Sequence, residues 1–307
     1  MQAASLGKPI VVHHMAALDS TDQSLYPWTY PPNALEAIRA CLEAGAPFIE
    51  IDVTALRRGD YLLVHDPVLE SETTGQGDVS AADADTVKRL HIKHNGHPTA
   101  YAPALLSEVV ALFQEYGGTS RLQIDFKNVL PMRDDEPLRR LVALIKPLGE
   151  RVLVSSGADW HLRALRRLDH QLDLGFDIGF YLDYRPHPVD PRLPPYREGA
   201  YGYHDDHILS LQPLLSAAAY LEERIDILYR QITEVSTWYV HYRLLARALA
   251  DGFNLAAWLH LVGIKLDAWT MDADKPDAMA HLADLQASGV DQFTTNTPRA
   301  LAALLEG

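Results

Sequence analysis

Residues 48–67 read FIEIDVTALRRGDYLLVHDP. In Phe48-Ile49-Glu50-Ile51-Asp52-Val53, period-two alternation sets Phe48, Glu50 and Asp52 on one face of a strand and Ile49, Ile51 and Val53 on the other. A second apolar run, Tyr61–His65, follows after only Thr54–Asp60. That is too short for a helical crossover, so the pair predicts a hairpin turning at Arg58-Gly59, with position 65 opposite position 52. A strand with two acids on one face is either a solvated edge or the inner wall of a barrel. Helical patterns on both sides argue for the wall.

Working outward, short apolar strands alternate with helical stretches. Parallel candidates are Ile10–Val12, Phe48–Val53, Leu122–Phe126, Val152–Ser155, Leu174–Tyr181, Val235–Tyr239, Ile264–Trp269 and Gln292–Thr295. Their number closes an α/β fold of the TIM-type (β/α)8 barrel kind. Helices are predicted over Asn33–Ala44, stopped by Gly45, and near Leu105–Tyr116, Pro137–Lys146, Trp160–Leu168, Arg243–Ala250 and Lys275–Ala287. One domain therefore spans residues 1–307. A small insertion at 67–103 follows the hairpin, and a Pro- and Tyr-rich stretch at 183–207 is a candidate lid at the C-terminal mouth.

Composition limits the function. Of 307 residues, 48% are apolar and 22% charged, which is ordinary for a globular domain. The 27 Lys+Arg against 41 Asp+Glu give a net charge of −14, which excludes general nucleic-acid binding and means an anionic substrate needs a local cation. A single cysteine, Cys41, allows no intrachain disulfide and fits a reducing compartment. The N-terminal residues show no signal-peptide pattern, and the best apolar run, Leu255–Val262, is short and broken by His260. The expectation is a cytoplasmic protein with no transmembrane segment. Nothing in the sequence sets its oligomeric state.

The acids point to metal chemistry. Two carboxylates facing a barrel interior repel each other unless a cation neutralises them, and hard oxygens at strand positions i and i+2 suit one divalent ion, Mg²⁺ or Ca²⁺. Leu122–Lys127 repeats the pattern: Asp125 and Lys127 share a face opposite Leu122, Ile124 and Phe126. His65, across the hairpin from Asp52, is placed for proton transfer. His13-His14 ends the first strand, so one ring must point into the barrel and the other away. Gly75-Gln76-Gly77 lacks the Lys and helix of a phosphate loop, no Gly-x-Ser-x-Gly elbow occurs, and His204–His207 reads as a solvated cluster.

Several segments, in order, resemble the glycerophosphodiester phosphodiesterase family. They are PPNALEAIRACLEAGAPFIEIDVTALRRGDYLLVHDPVLESETTGQGDVS, PALLSEVVALF, LQIDFK, RVLVSSG and IKLDAWTMD…SGVDQFTTNTPRAL. The resemblance implies a TIM-type barrel that hydrolyses glycerophosphodiesters to glycerol 3-phosphate and an alcohol, using one divalent metal and two histidines. It implies Glu50, Asp52 and Asp125 as metal ligands, with His13 and His65 as the acid–base pair. It implies that Lys127 and Trp269 meet the substrate. His14 stands where the family's phosphate-clamping Arg stands, and Met15 where its Gly stands. Pro32, Asp125 and Asp272 replace the family's Glu, Glu and Asn. An acidic trio with a His followed by Met is also similar to the sphingomyelinase D branch of this barrel. In that register His14, and not His13, is catalytic. The alternatives are a phospholipase D-type enzyme on lysophospholipids and a non-catalytic barrel that binds a phosphodiester or a protein.

Overall fold

The computed structural model describes residues 7–19, 29–132, 134–184 and 197–306. Eight parallel strands close a barrel: β1 (Ile10–His13), β2 (Phe48–Ala55), β3 (Arg121–Phe126), β4 (Val152–Ser156), β5 (Asp173–Asp177), β6 (Thr237–His241), β7 (Lys265–Trp269) and β8 (Gln292–Thr295). Each strand pairs with its neighbours in sequence, and β1 pairs with both β8 and β2, so the sheet has no open edge. Helices cover the outside. Among the described residues, no helix is long and apolar enough to cross a membrane.

All of β2 is buried, as expected of a strand covered on both faces. Ile49, Ile51 and Val53 pack outward into the large core between strands and helices. Val12, Phe48, Leu153 and Tyr239 form a smaller apolar plug inside the barrel. Register then fixes the chemistry, because Glu50 pairs with Gln123 and Asp52 with Asp125 across β2 and β3. Acids from two strands are thereby set at one height.

The hairpin is present but shorter than predicted. Only Tyr61–Leu62 pairs with β2, Ala55 lying opposite Tyr61 and Thr54 opposite Leu62, one residue from the expected register. β5 stops at Asp177, whose carboxylate accepts from the Gly179 N–H and starts a tight turn. The helix expected over Lys275–Ala287 is two short ones, Pro276–Met279 and Leu282–Ser288. A helix of fifteen residues, Ala217–Gln231, was not anticipated, although Ser216 caps it through the Ala219 N–H. Residues 67–103 hold more structure than a polar loop. Short helices and a two-stranded ribbon lie there, over a cluster that includes Leu56, Leu62, Val64, Leu69, Val79 and Val87.

Of the candidate lid, residues 185–196 lie outside the described residues, among them Pro186, Pro188, Pro191, Pro194, Pro195 and Tyr196. Its described ends are fastened to the outer helices. Leu182–Asp183, Arg197–Glu198 and His204–Asp205 form a small antiparallel sheet. Tyr203 donates to Asp251 at 2.8 Å, and Tyr201 stacks on Tyr220 with ring centroids 4.4 Å apart. Buried Asp205 pairs with buried Arg224 at 3.0 Å, so the His204–His207 cluster serves packing at that residue.

Gly175 of β5 tests how tightly the barrel interior is filled. A Cβ there would lie 2.4 Å from Tyr239 Cε2 and 3.1 Å from Leu153 Cδ2. Gly175→Ala is expected to cost about 1–3 kcal/mol in denaturant unfolding, the size of an overpacked core. A variant as stable as the parent would show that the Tyr239 ring does not occupy that space.

Candidate active site

The acids predicted to converge do so. Glu50, Asp52 and Asp125 each offer an oxygen, and these atoms all lie within 4.8 Å of one another. Glu50 and Asp52 are fully buried at the mouth end of the barrel. Lys127 reaches Asp52 Oδ1 at 3.0 Å and donates to Asp125 Oδ2. Lys127 is the one Lys or Arg among the described residues lining the cavity of about 1000 Å³ above them. One ammonium cannot balance three carboxylates. Burial, and then Asp52 and Asp125, push the Glu50 carboxyl well above the usual carboxylate range. Burial also pushes Asp52 up, but Lys127, His65 and His14 outweigh it and hold that carboxyl at about 2. Three hard oxygen donors with excess negative charge fit a divalent cation of the Mg²⁺ or Ca²⁺ class.

The carboxylates are held from behind. The Met15 backbone N–H donates to Glu50 Oε2 at 2.7 Å. Asn33 donates through Nδ2 to Asp52 Oδ2 at 3.1 Å and accepts the Asp52 N–H on Oδ1 at 3.2 Å. Asn33 does this from the left-handed region, φ +58°, which Asn tolerates better than most residues. Ser155 donates to Asp125 Oδ1 at 3.3 Å. Asn33 was read in the sequence only as the start of a helix. Its role depends on a loop conformation that no local pattern encodes.

The histidine pair separates. His13 is buried away from the acids, its Nδ1 2.8 Å from the Ala17 carbonyl and 3.6 Å from Cys41 Sγ. It does not line the cavity. This corrects the first register, which set His13 at the acids: Val12 points inward opposite Phe48, so alternation turns His13 out and His14 in. His14 does line the cavity, with Nε2 4.0 Å from Glu50 Oε2. Its Nδ1 lies 2.9 Å from Asn296 Oδ1. Asn296 in turn donates to Asp272, through Nδ2 at 3.0 Å and through its backbone N–H at 2.8 Å. A carboxylate only accepts, so the amide orientation is fixed with its oxygen toward His14. Nδ1 of His14 then carries the proton, and Nε2 keeps a free lone pair facing the acids. Burial lowers the His14 pKa below the usual imidazole value, against the pull of Asp52 and Asn296.

His65 lines the same cavity from the hairpin side. Its ring is exposed, with Nδ1 3.1 Å from Asp66 Oδ1. Trp269 and Lys127 line it too. Of the residues proposed from sequence, Asp52 is not in the cavity lining but sits within the acidic cluster, and His13 belongs to neither. Asn33, Asp272, Asn296 and Tyr239 belong around the centre without having been assigned to it.

Comparison with known proteins bears on the family and the fold. The Glycerophosphoryl diester phosphodiesterase family matches residues 26–192, more than half of the chain. A glycerophosphodiester phosphodiesterase of Caldanaerobacter subterraneus subsp. tengcongensis is 28% identical over 149 residues, a match that spans 47% of this chain and 60% of that relative's length. The fold is similar to a Galdieria sulphuraria protein described as a candidate enzyme of this kind, with a TM-score of 0.70 and 16% identity over 99% of this chain and 100% of that one. It is also similar to a glycerophosphodiester phosphodiesterase of Parabacteroides distasonis, with a TM-score of 0.64, 17% identity and 98% of each chain covered. A third is an Oleispira antarctica phosphodiesterase solved with the product sn-glycerol-3-phosphate, with a TM-score of 0.60, 16% identity and 97% of each chain covered. With a barrel of this topology and a family match over more than half its length, the chain belongs to the glycerophosphoryl diester phosphodiesterase family.

Proposed function

We propose that the protein hydrolyses glycerophosphodiesters to glycerol 3-phosphate and an alcohol. Glu50, Asp52 and Asp125 would hold one Mg²⁺ or Ca²⁺, and His14 and His65 would move the protons. The observation that carries this reading is the His14 imidazole, whose free Nε2 faces the three acids in a cavity that His65 also lines. The activity named for the tengcongensis relative and the product bound by the Oleispira enzyme support the substrate class. Family resemblance makes the attacking hydroxyl the glycerol's own 2-hydroxyl, giving a cyclic phosphate that water then opens.

When bound, the cation would supply Lewis acidity at the phosphate oxygens. His14 Nε2 takes the proton of the attacking hydroxyl as its oxygen bonds to phosphorus. His65 gives a proton to the departing alcohol oxygen as the other P–O bond breaks. Lys127, charged because Asp125, Asp52 and Glu50 outweigh its burial, adds a positive charge beside the phosphate. With His14 in the catalytic register, the family's Arg and Gly fall on Met15 and Ala16. Both keep a left-handed backbone, at φ +49° and +55°, in a turn where Gly costs least. We also infer a cytoplasmic setting, from the one cysteine, Cys41, which is a buried free thiol.

A second reading, phospholipase D-type cleavage of lysophospholipids, draws on the cavity wall. Met15 stands where the clamp would be, and Val129, Leu130, Pro131 and Met132 form an apolar rim on which Leu130 is 78% exposed. Faster release of choline from lysophosphatidylcholine than from glycerophosphocholine would favour it.

Glycerol 3-phosphate release from glycerophosphocholine tests the main reading. His14→Ala and His65→Ala should each lose at least about 10²-fold in kcat, while His13→Ala should lower Tm and leave kcat within a few-fold. The reverse pattern, with His13 essential and His14 dispensable in folded protein, would restore the first register. Glu50→Gln should abolish turnover, and persistence of full activity would remove Glu50 from the centre. As pH falls, protonation fills the His14 lone pair, so kcat/KM should drop on the acid side with a midpoint below about 6.5. An acid limb centred above that value would contradict a buried neutral base.

A further inference from the structure

Beside the acids, the cavity lining includes two buried polar atoms with no partner among the described residues. Tyr239 of β6 is 3% exposed, and its hydroxyl makes no hydrogen bond there. Gln123 of β3 is 4% exposed, and its Oε1 makes none. Both residues line the cavity beside Asp125 and Ser155. Leaving a buried polar group unpaired costs about 1–3 kcal/mol, so such atoms in a binding cavity call for a ligand.

Their chemistry is settled by their neighbours. Gln123 Nε2 donates to Ser155 Oγ at 3.1 Å, and Ser155 donates to Asp125, so the amide is oriented and Oε1 remains an acceptor. Asp267 lies opposite Tyr239 in the β6–β7 register, with Thr294 Oγ1 2.9 Å from each of its oxygens, and among the described residues it does not bond the Tyr239 hydroxyl. Burial, with Asp267, Asp173 and Asp125 near it, raises the Tyr239 phenol well above its ordinary range, so it stays a donor. Gly175 gives the ring its place, since a Cβ there would collide with it.

We propose that Tyr239 and Gln123 read a free hydroxyl of the substrate's glycerol, Tyr239 Oη donating to it and Gln123 Oε1 accepting from it. An alcohol is both donor and acceptor and satisfies the two orphaned atoms at once. An ammonium headgroup has no acceptor and a phosphate dianion no donor, so neither fits both atoms. This inference rests on the phosphodiesterase reading and names the feature by which that site selects a glycerol ester.

The test compares sn-glycerol 3-phosphate with 2-hydroxypropyl phosphate, which keeps the 2-hydroxyl and lacks the terminal one, as competitive inhibitors of glycerophosphocholine cleavage read as choline release. The wild type should bind glycerol 3-phosphate at least about 10-fold more tightly than 2-hydroxypropyl phosphate, and Tyr239→Phe should bring that ratio to within about 2-fold of unity. Tyr239→Phe keeps the ring over Gly175, so folding is preserved. Gln123→Met, close in shape and without that acceptor, should also reduce the ratio. A ratio unchanged in both variants, with a lowered Tm, would mean that the atoms bond a structural water and would overturn the proposal. If the wild type cleaves no diester, the phosphodiesterase reading fails and this inference fails with it. If it cleaves the diester but binds both phosphates equally, only the inference fails.

Discussion

Two fully buried carboxylates, Glu50 and Asp52, share a barrel end with Asp125, and one ammonium stands against them. Charges of one sign in a low-dielectric interior cost several kcal/mol each unless opposed. Much of the local structure is explained by that constraint. Lys127 bridges two of the acids, the Met15 N–H bonds Glu50, and Asn33 clamps Asp52 from both sides of its amide. These contacts spread the charge but do not cancel it, and the raised Glu50 carboxyl records the remainder. On the proposed reading, a divalent cation would complete the balance.

The same constraint explains the strained corner after β1. Bringing the Met15 N–H to Glu50 bends the chain through two consecutive left-handed residues, neither of them Gly. Strain of this kind costs on the order of 1–3 kcal/mol per residue and persists only where surrounding structure imposes it. Here it turns His14 toward the acids. The Asn296–Asp272 pair then fixes which imidazole nitrogen is free. Positioning is therefore built from a loop, a turn and the end of the last strand, around a rigid wall.

The wall was legible in the sequence. Alternation in residues 48–53 and 122–127 predicted which acids share a face, and strand parity in a closed barrel brought them together. The short Thr54–Asp60 link announced the hairpin, with an error of one residue in register. The first strand was not legible in the same way. Ile10-Val11-Val12 is apolar throughout, so nothing in it says which of His13 and His14 faces inward, and only pairing with Phe48 decides. Asn33, Asp272 and Asn296 lie outside the strands. Their contacts depend on loop conformation, which carries no periodic signal. Tyr239 was hidden for another reason: within Trp238-Tyr239-Val240 it reads as core, and its unpaired hydroxyl shows only once its neighbours are in place.

The central claim is that the acidic trio is a cation site. Isothermal titration calorimetry of Mg²⁺ and Ca²⁺ into EDTA-treated, dialysed protein tests it without any assumption about substrate. The account predicts one equivalent bound per chain, with heat lost in Asp52→Asn and a Tm that rises with ion concentration as mass action requires. Absence of binding by either ion to the folded wild-type protein, or binding that survives Asp52→Asn and Glu50→Gln together, would contradict it.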